Sequence, residues 1–152
     1  VKKIILSVMA ACLFLGVSAC KQNNTTEKFD EHSIATYHNS QNSLDWAGVY
    51  RGIIPAADTP GIKIEITLNW DGTFVAVYEY IGGDSITFKY SGRFTWDANG
   101  RTITLEDMDK SKFPVHYQVG EGVLFQLDLQ GNRITGNLAD KYIFKQEAWF
   151  TK

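Results

Sequence analysis

Groups able to carry thiol or soft-metal chemistry are scarce: the 152 residues hold two cysteines, two methionines and three histidines. Cys12 lies inside an N-terminal apolar run and Cys20 closes it, so neither belongs to the body of the chain. If processing removes the first and lipid takes the second, as argued next, no thiol is left for a disulfide, a thiolate metal site or a nucleophile. Met9 and Met108 form no cluster, and His32, His38 and His116 are too dispersed for a metal site with oriented supporting groups. No metal or other cofactor is expected. The chain also lacks Gly-x-Ser-x-Gly, His-Glu-x-x-His and phosphate-loop patterns, so no catalytic residue is nominated and the protein is not expected to be an enzyme. Net charge is −2, with acids and bases interspersed and no basic cluster, which discounts nucleic acid as a partner. Sustained helical periodicity is missing as well.

What the chain does have starts with Lys2-Lys3 and the apolar run Ile4 to Ala19. That run is shorter than the about 20 residues of a spanning helix, and with small residues at its end it reads as a secretory signal. Val17-Ser18-Ala19-Cys20 looks like a bacterial lipobox, which implies cleavage before Cys20 and acylation of that cysteine. An ordinary secreted protein with an incidental Cys20, or an uncleaved anchor, are the alternatives. Charge, apolar length, small residues and cysteine agree in register, which favours the lipoprotein and a membrane partner reached through the N-terminal lipid. Removing residues 1–19 takes away Lys2 and Lys3 and no acid, so the net charge moves from −2 to −4. Residues 20–43 follow as a polar stretch with isolated Phe29, Ile34 and Tyr37, unable to bury a core. As a flexible tether it would reach roughly 25–30 Å. Lys21, rather than an Asp, follows the lipid cysteine, so the outer membrane is the expected location.

From residue 44 to 152 the pattern becomes that of strands. Ile62, Ile64, Ile66, Leu68 and Trp70 alternate with Lys63, Glu65, Thr67 and Asn69, one face apolar and one polar. Asp71-Gly72 predicts a two-residue type I′ hairpin. Further strands are expected over 73–81, 86–96, 101–106, 113–119 and 123–129, with a last one somewhere in Ile134 to Phe144. Counting a short first strand near Gly48, that makes eight with short connections, so the expected fold is all-β: a small, lipocalin-like, antiparallel up-and-down barrel, with a two-sheet sandwich as alternative.

Tyr50-Arg51-Gly52, Ile54-Pro55-Ala56-Ala57-Asp58-Thr59-Pro60-Gly61-Ile62-Lys63, Leu68-Asn69 and Asp71-Gly72-Thr73-Phe74 carry a family resemblance. Trp96-Asp97, Ile103-Thr104-Leu105, Tyr117-Gln118-Val119-Gly120, Ile134-Thr135-Gly136 and Leu138-Ala139-Asp140-Lys141-Tyr142 continue it in order. This resembles the N-terminal domain of the NlpE envelope lipoproteins, over roughly two thirds of the chain from Trp46 to about Lys145. The resemblance implies an outer-membrane lipoprotein with a lipocalin-like barrel, linked to copper tolerance and envelope-stress signalling. The second domain that some members carry is not expected. Family members have Cys-x-x-Cys in the first loop, where this chain has Ala56 and Thr59, so copper-thiol chemistry is not expected.

That loop, with Ala56, Asp58 and Thr59, is the candidate site; the simpler reading is structural, with Asp58 capping the turn and the prolines stiffening it. Glu79 and Arg93 either point into the barrel, where a buried charge would mark a site, or face water. The aromatic residues Tyr78, Tyr80, Phe88, Tyr90, Phe94, Trp96 and Phe125 either fill the barrel or line a cavity for a small apolar ligand. Two functions follow: a non-enzymatic envelope-stress or surface-sensing adaptor with an envelope protein partner, or a carrier of a small apolar ligand.

Overall fold

The computed structural model describes residues 38–83 and 86–151. The expected signal, Cys20 and the tether up to residue 37 lie outside the described residues. Eight strands follow in order: β1 (Gly48–Ile54), β2 (Gly61–Leu68), β3 (Thr73–Ile81), β4 (Thr87–Trp96), β5 (Thr102–Leu105), β6 (His116–Gly120), β7 (Val123–Gln126) and β8 (Ile143–Trp149). Each pairs antiparallel with its sequence neighbour, and β8 returns to pair with β1. The fold is therefore the expected up-and-down barrel. Closure gives every strand two partners, so no strand is left with a wholly open edge.

Alternation in the sequence becomes inside and outside. In β2, Ile64, Ile66 and Leu68 are fully buried while Lys63 is exposed. Tyr50, Phe74, Tyr78, Tyr117 and Phe144 are at most 1% exposed and meet inside with Ile103, Leu105 and Leu124. Each such side chain stabilises the fold by about 1.5–3 kcal/mol relative to an exposed one. The interior is filled, not hollow. Gly52 shows how tight it is: a Cβ there would stand 2.1 Å from Phe144 Cδ1, so the β1–β8 seam closes over a missing side chain. On the outside Arg51 ties three strands, bonding Glu65 of β2 at 2.6 Å and Glu147 of β8.

One end of the barrel is capped by tryptophan. Trp46, just before β1, packs its ring 4.5 Å from Trp70, 5.4 Å from Trp96 and 5.7 Å from Phe94. Its indole N–H donates to the Gln41 carbonyl at 2.9 Å, and its own carbonyl accepts from the Tyr50 hydroxyl at 2.6 Å. The segment before β1 and the one after β8 meet here, since Phe150 N–H donates to Ala47 O and Trp70 Nε1–H donates to Phe150 O. Asn39 to Ser43, expected as the end of the tether, belong to this cap: the turn α1 (Ser40–Ser43) carries an Asn39 capping box, and Ser40 Oγ donates to Val119 O at 2.7 Å.

Three details differ from expectation. The Asp71-Gly72 hairpin is a longer loop: Gly72 N–H donates to Asn69 O at 3.0 Å, and Asn69 N–H to Thr73 O at 2.9 Å. A type I′ turn needs positive φ at both central residues, and only Gly72 has it, at +80°. Asp71 stays at negative φ and spends its carboxylate on Thr73 N–H (3.0 Å) and Thr73 Oγ1 (2.6 Å). The same four-residue device recurs at Asp97 to Gly100 and Asp128 to Gly131, with the first carbonyl accepting from the glycine N–H at 3.0 Å each time. The last strand is Ile143–Trp149 rather than somewhere in 134–144, and residues 134–142 form a loop ending in a 3-10 turn at Ala139–Tyr142. Its inward positions are Phe144 and Gln146, so the apolar alternation that marks a strand breaks off. Gln146 is inside for a reason: a register shift between Val49 and Tyr50 interrupts the ladder, and its amide donates to the Asp45 and Ala47 carbonyls at 3.1 Å. Phe113 to Val115 also fall outside β6, because Pro114 has no N–H to give a ladder.

Candidate functional site at the open end of the barrel

Opposite the tryptophan cap lie the longer connections Pro55 to Pro60, Glu106 to Val115 and Leu127 to Tyr142, together with Gly82 and Gly83 after β3. The first is the loop singled out above. Ala56 and Thr59 are half-buried and Asp58 is exposed. Asp58 does not cap the turn; the Thr59 hydroxyl does, donating to Gly61 O at 3.1 Å. Pro60 packs under the β3–β4 connection, where a Cβ on Gly82 would meet its Cδ at 3.1 Å. The two prolines thus hold a short, stiff bridge rather than a cradle of convergent side chains.

Glu79 and Arg93 both face outward. Glu79 pairs with Lys63 at 3.5 Å across β2 and β3, and Arg93 Nη2 donates to Asp71 O at 3.1 Å. Both are surface contacts of little energetic weight. His116 is half-buried on the outer face with Nδ1 3.0 Å from Thr104 Oγ1, and His38 is exposed near the capped end. Among the described residues no three His, Cys, Asp or Glu side chains come together to hold a metal ion.

The connection Glu106 to Val115 is the part the sequence hid. It folds over the mouth and inserts Met108 and Phe113, each 7% exposed. Phe113 lies 4.7 Å from the Tyr78 ring, 4.8 Å from Tyr90 and 5.8 Å from Phe88. Just behind it the Pro114 carbonyl accepts from the Tyr117 hydroxyl at 3.1 Å and the Tyr78 hydroxyl at 3.4 Å. Burial pushes the Tyr78 hydroxyl up to about 12 and Tyr117 well above its ordinary value, so both stay neutral donors. Asp107 makes the bend in the left-handed region at φ +61°, and Asp109 organises the tip by accepting from Ser111 N–H and Oγ. The run Lys110-Ser111-Lys112-Phe113-Pro114 contained the signal: the proline marks an interrupted strand, and the lone aromatic among lysines marks an anchor.

Between this covering loop and the segment from Gln126 to Ile134 runs a surface groove of about 440 Å³. Lys110, Phe113, His116, Gln126, Leu129 and Ile134 are among its lining residues. Gln126 is buried there, at 9% exposure, and its Oε1, like that of Gln146, has no hydrogen-bond partner among the described residues. Neighbouring Arg133 stacks its guanidinium 3.2 Å above the Phe125 ring and donates to Gln118 Oε1 at 2.6 Å.

The NlpE N-terminal domain family matches residues 50–137, more than half of the chain and most of this barrel. This chain belongs to that family. It is 26% identical to lipoprotein NlpE of Escherichia coli strain K12 over 134 residues, which are 88% of this chain. The match takes in 53% of that relative, so the chain spans about half its length. A 17 kDa lipoprotein of Treponema pallidum is 34% identical over 114 residues, covering 71% of this chain and 72% of that protein. The crystal structure of a Shewanella oneidensis lipoprotein superposes with a TM-score of 0.65 at 47% identity, covering 72% of this chain and 95% of that one. The NlpE match runs from within β1 through β7 and includes both the Pro55 to Pro60 loop and the groove. In this NlpE barrel the first loop carries Ala56 and Thr59 where the family resemblance places thiols, so the groove is the better-formed feature of the mouth.

Proposed function

We propose that this chain is a non-enzymatic, lipid-anchored lipoprotein whose NlpE barrel acts as a sensing or adaptor domain for a protein partner in the bacterial envelope. The observation that carries it is the filled barrel: Tyr50, Phe74, Tyr78, Tyr117 and Phe144 occupy the interior at 1% exposure or less. A carrier of a small apolar ligand needs that space open. Function therefore rests on the outer surface and on where the domain is held. Supporting the location are the lipobox ending in Cys20 and the lipoprotein relatives of E. coli, T. pallidum and S. oneidensis. On this reading residues 1–19 are removed, Cys20 is acylated, and the following stretch tethers the barrel to the periplasmic face of the outer membrane. Copper-thiol chemistry has been lost with Ala56 and Thr59.

The test is expression of the wild-type chain and of Cys20→Ser in a Gram-negative host carrying an envelope-stress reporter. Mass spectrometry of the outer-membrane fraction is expected to find acylated Cys20 as the first residue, with the reporter raised by the wild type and silent with Cys20→Ser. Unmodified Cys20 in the soluble periplasm would sink the anchor. A reporter indifferent to both forms would sink the adaptor role.

A further inference from the structure

The barrel wall is incomplete between β4 and β5. β4 runs for ten residues and pairs with β3 over Thr87 to Arg93, but β5 faces it only over Phe94 to Trp96. One more bond, from Glu106 N–H to Arg93 O at 2.8 Å, extends that ladder before Asp107, at φ +61°, turns the chain away into the covering loop. Beyond it this side of β4 is bare. Tyr80 N–H donates to Ile86 O and Phe94 N–H to Gly72 O, so the even-numbered residues of β4 are those that bond β3. In an antiparallel ladder the intervening residues aim their N–H and C=O the opposite way. Thr87, Lys89 and Ser91 therefore present a row of backbone donors and acceptors along one edge. All three residues are exposed, and none of these groups has a partner among the described residues.

Such a row is specific about its occupant. Water meets each group singly, whereas the solute that matches alternating donors and acceptors at a two-residue spacing is another extended backbone. The side chains agree. Phe88 shares its face with buried Tyr78 yet is 39% exposed, and Ile86 is 57% exposed, since no strand flanks β4 there. An added strand would lay every second side chain beside Phe88 and Tyr90 and the others beside Thr87, Lys89 and Ser91. Lys89, in the middle of the edge, decides whose strand it is. A second copy that paired its own Thr87 to Ser91 here would set two Lys89 side chains directly opposite, the like-charge arrangement by which proteins keep edges from self-pairing. We propose that the β4 edge from Thr87 to Ser91 receives an extended strand of the protein partner, added antiparallel, with apolar side chains beside Phe88 and Tyr90 and an acidic residue across from Lys89. The proposal rests on the adaptor reading above and names the surface and the kind of partner segment it uses.

The experiment uses the full lipidated chain in nanodiscs, read by amide hydrogen exchange and by the anisotropy of a fluorescein-labelled probe peptide, Val-Thr-Val-Glu-Val-Thr-Val. In the chain alone the amides of Thr87, Lys89 and Ser91 are expected to exchange about a hundredfold faster than those of Phe88, Tyr90 and Gly92. The probe is expected to bind tighter than about 1 mM and to slow the three edge amides about tenfold or more. The same peptide N-methylated at its Thr and Glu residues keeps every side chain but loses the donors that face β4, and should bind about tenfold or more weakly. Ser91→Pro deletes an edge donor that β3 does not use, a change tolerated at a strand edge, and should weaken binding to the same degree. Should it fail to fold, Lys89→Glu takes its place, with weakened binding that returns when the probe's Glu is replaced by Lys. Equal binding of the methylated peptide would reduce the site to an apolar patch and overturn the proposal, as would no binding of the probe. Slow exchange at all three edge amides without probe would overturn it too: the edge would already be paired, with a second copy if protection rises with protein concentration, and within the chain if it does not. A stress reporter raised equally by wild type and Ser91→Pro overturns the edge proposal and leaves the adaptor reading standing. A reporter indifferent to the wild type sinks the adaptor reading, while exchange and anisotropy still judge the edge.

Discussion

Trp46→Ala should be among the most damaging single substitutions in the domain. The indole is 5% exposed and touches three aromatic rings at 4.5–5.7 Å, so truncation loses its transfer free energy and opens a cavity among side chains fixed by their own strands. Losses of this kind run to about 3–5 kcal/mol for Trp→Ala, against a total of roughly 5–15 kcal/mol for a domain. Trp46→Phe separates the parts. It keeps a ring among Trp70, Phe94 and Trp96 and gives up the Nε1–H bond to Gln41 O, a carbonyl on an exposed residue that water can reach. That loss should be about 0.5–1.5 kcal/mol, plus a smaller packing term. The carbonyl of Trp46, which accepts from Tyr50, is untouched in both variants. Urea unfolding followed by far-ultraviolet circular dichroism reads the midpoint and its slope, and an unchanged slope shows that stability alone has moved. If Trp46→Ala costs less than about 1 kcal/mol, or if Trp46→Phe costs as much as Trp46→Ala, the aromatic cap does not hold this end of the barrel.

High pH should unfold the barrel. Burial raises Tyr78 to about 12 and pushes Tyr50 and Tyr117 up as well, so their contribution to stability is complete below the unfolded value of about 10 and is lost as pH rises through the folded values. Tyrosinate absorbance should show these three ionising late, together with loss of structure; a single transition near the unfolded value with the fold intact would refute the packing. At the first loop, Ala56→Cys combined with Thr59→Cys should create a dithiol that oxidises to a bridge, read as two thiols withdrawn from labelling. Thiols that stay reactive after oxidation would show that these positions do not correspond to the family's cysteines.

What the sequence displayed was alternation, and wherever one barrel face is apolar and the other polar the reading survived. β2 is the clearest case, with Ile64, Ile66 and Leu68 inward and Lys63 outward. The closed meander followed from the count of strands and the brevity of their connections. Alternation failed where tertiary need replaced it. Gln146 is an inward polar residue because a bulge left carbonyls to satisfy, and so β8 was sought too early, among Ile134 and Leu138. Leu138 is 53% exposed in the loop that stands there instead. The groove was illegible for a different reason. Phe113 beside Pro114 hints locally at an anchored loop, but Gln126 is unremarkable, and that this loop crosses the barrel mouth to meet it is a contact that no local pattern encodes. Asp58, conspicuous between two prolines, holds nothing among the described residues, whereas the quieter Thr59 makes the bond.

The placement at the tryptophan cap of the segments that enter and leave the barrel has a mechanical consequence. The segments entering β1 and leaving β8 both lie at one end of the barrel, and the groove lies at the other. A pull between the N-terminal side and anything gripping the mouth therefore acts along the strands. Under such a pull the β1–β2 ladder, seven residue pairs from Gly48↔Leu68 to Ile54↔Ile62, is strained in shear, all its bonds sharing the stretch, rather than peeled one bond at a time. The β1–β8 seam resists in the same direction, with Arg51 bridging both ladders on the outside. A domain hung this way can bear tension without opening, and it transmits a force applied at its mouth to the other end instead of absorbing it by unfolding.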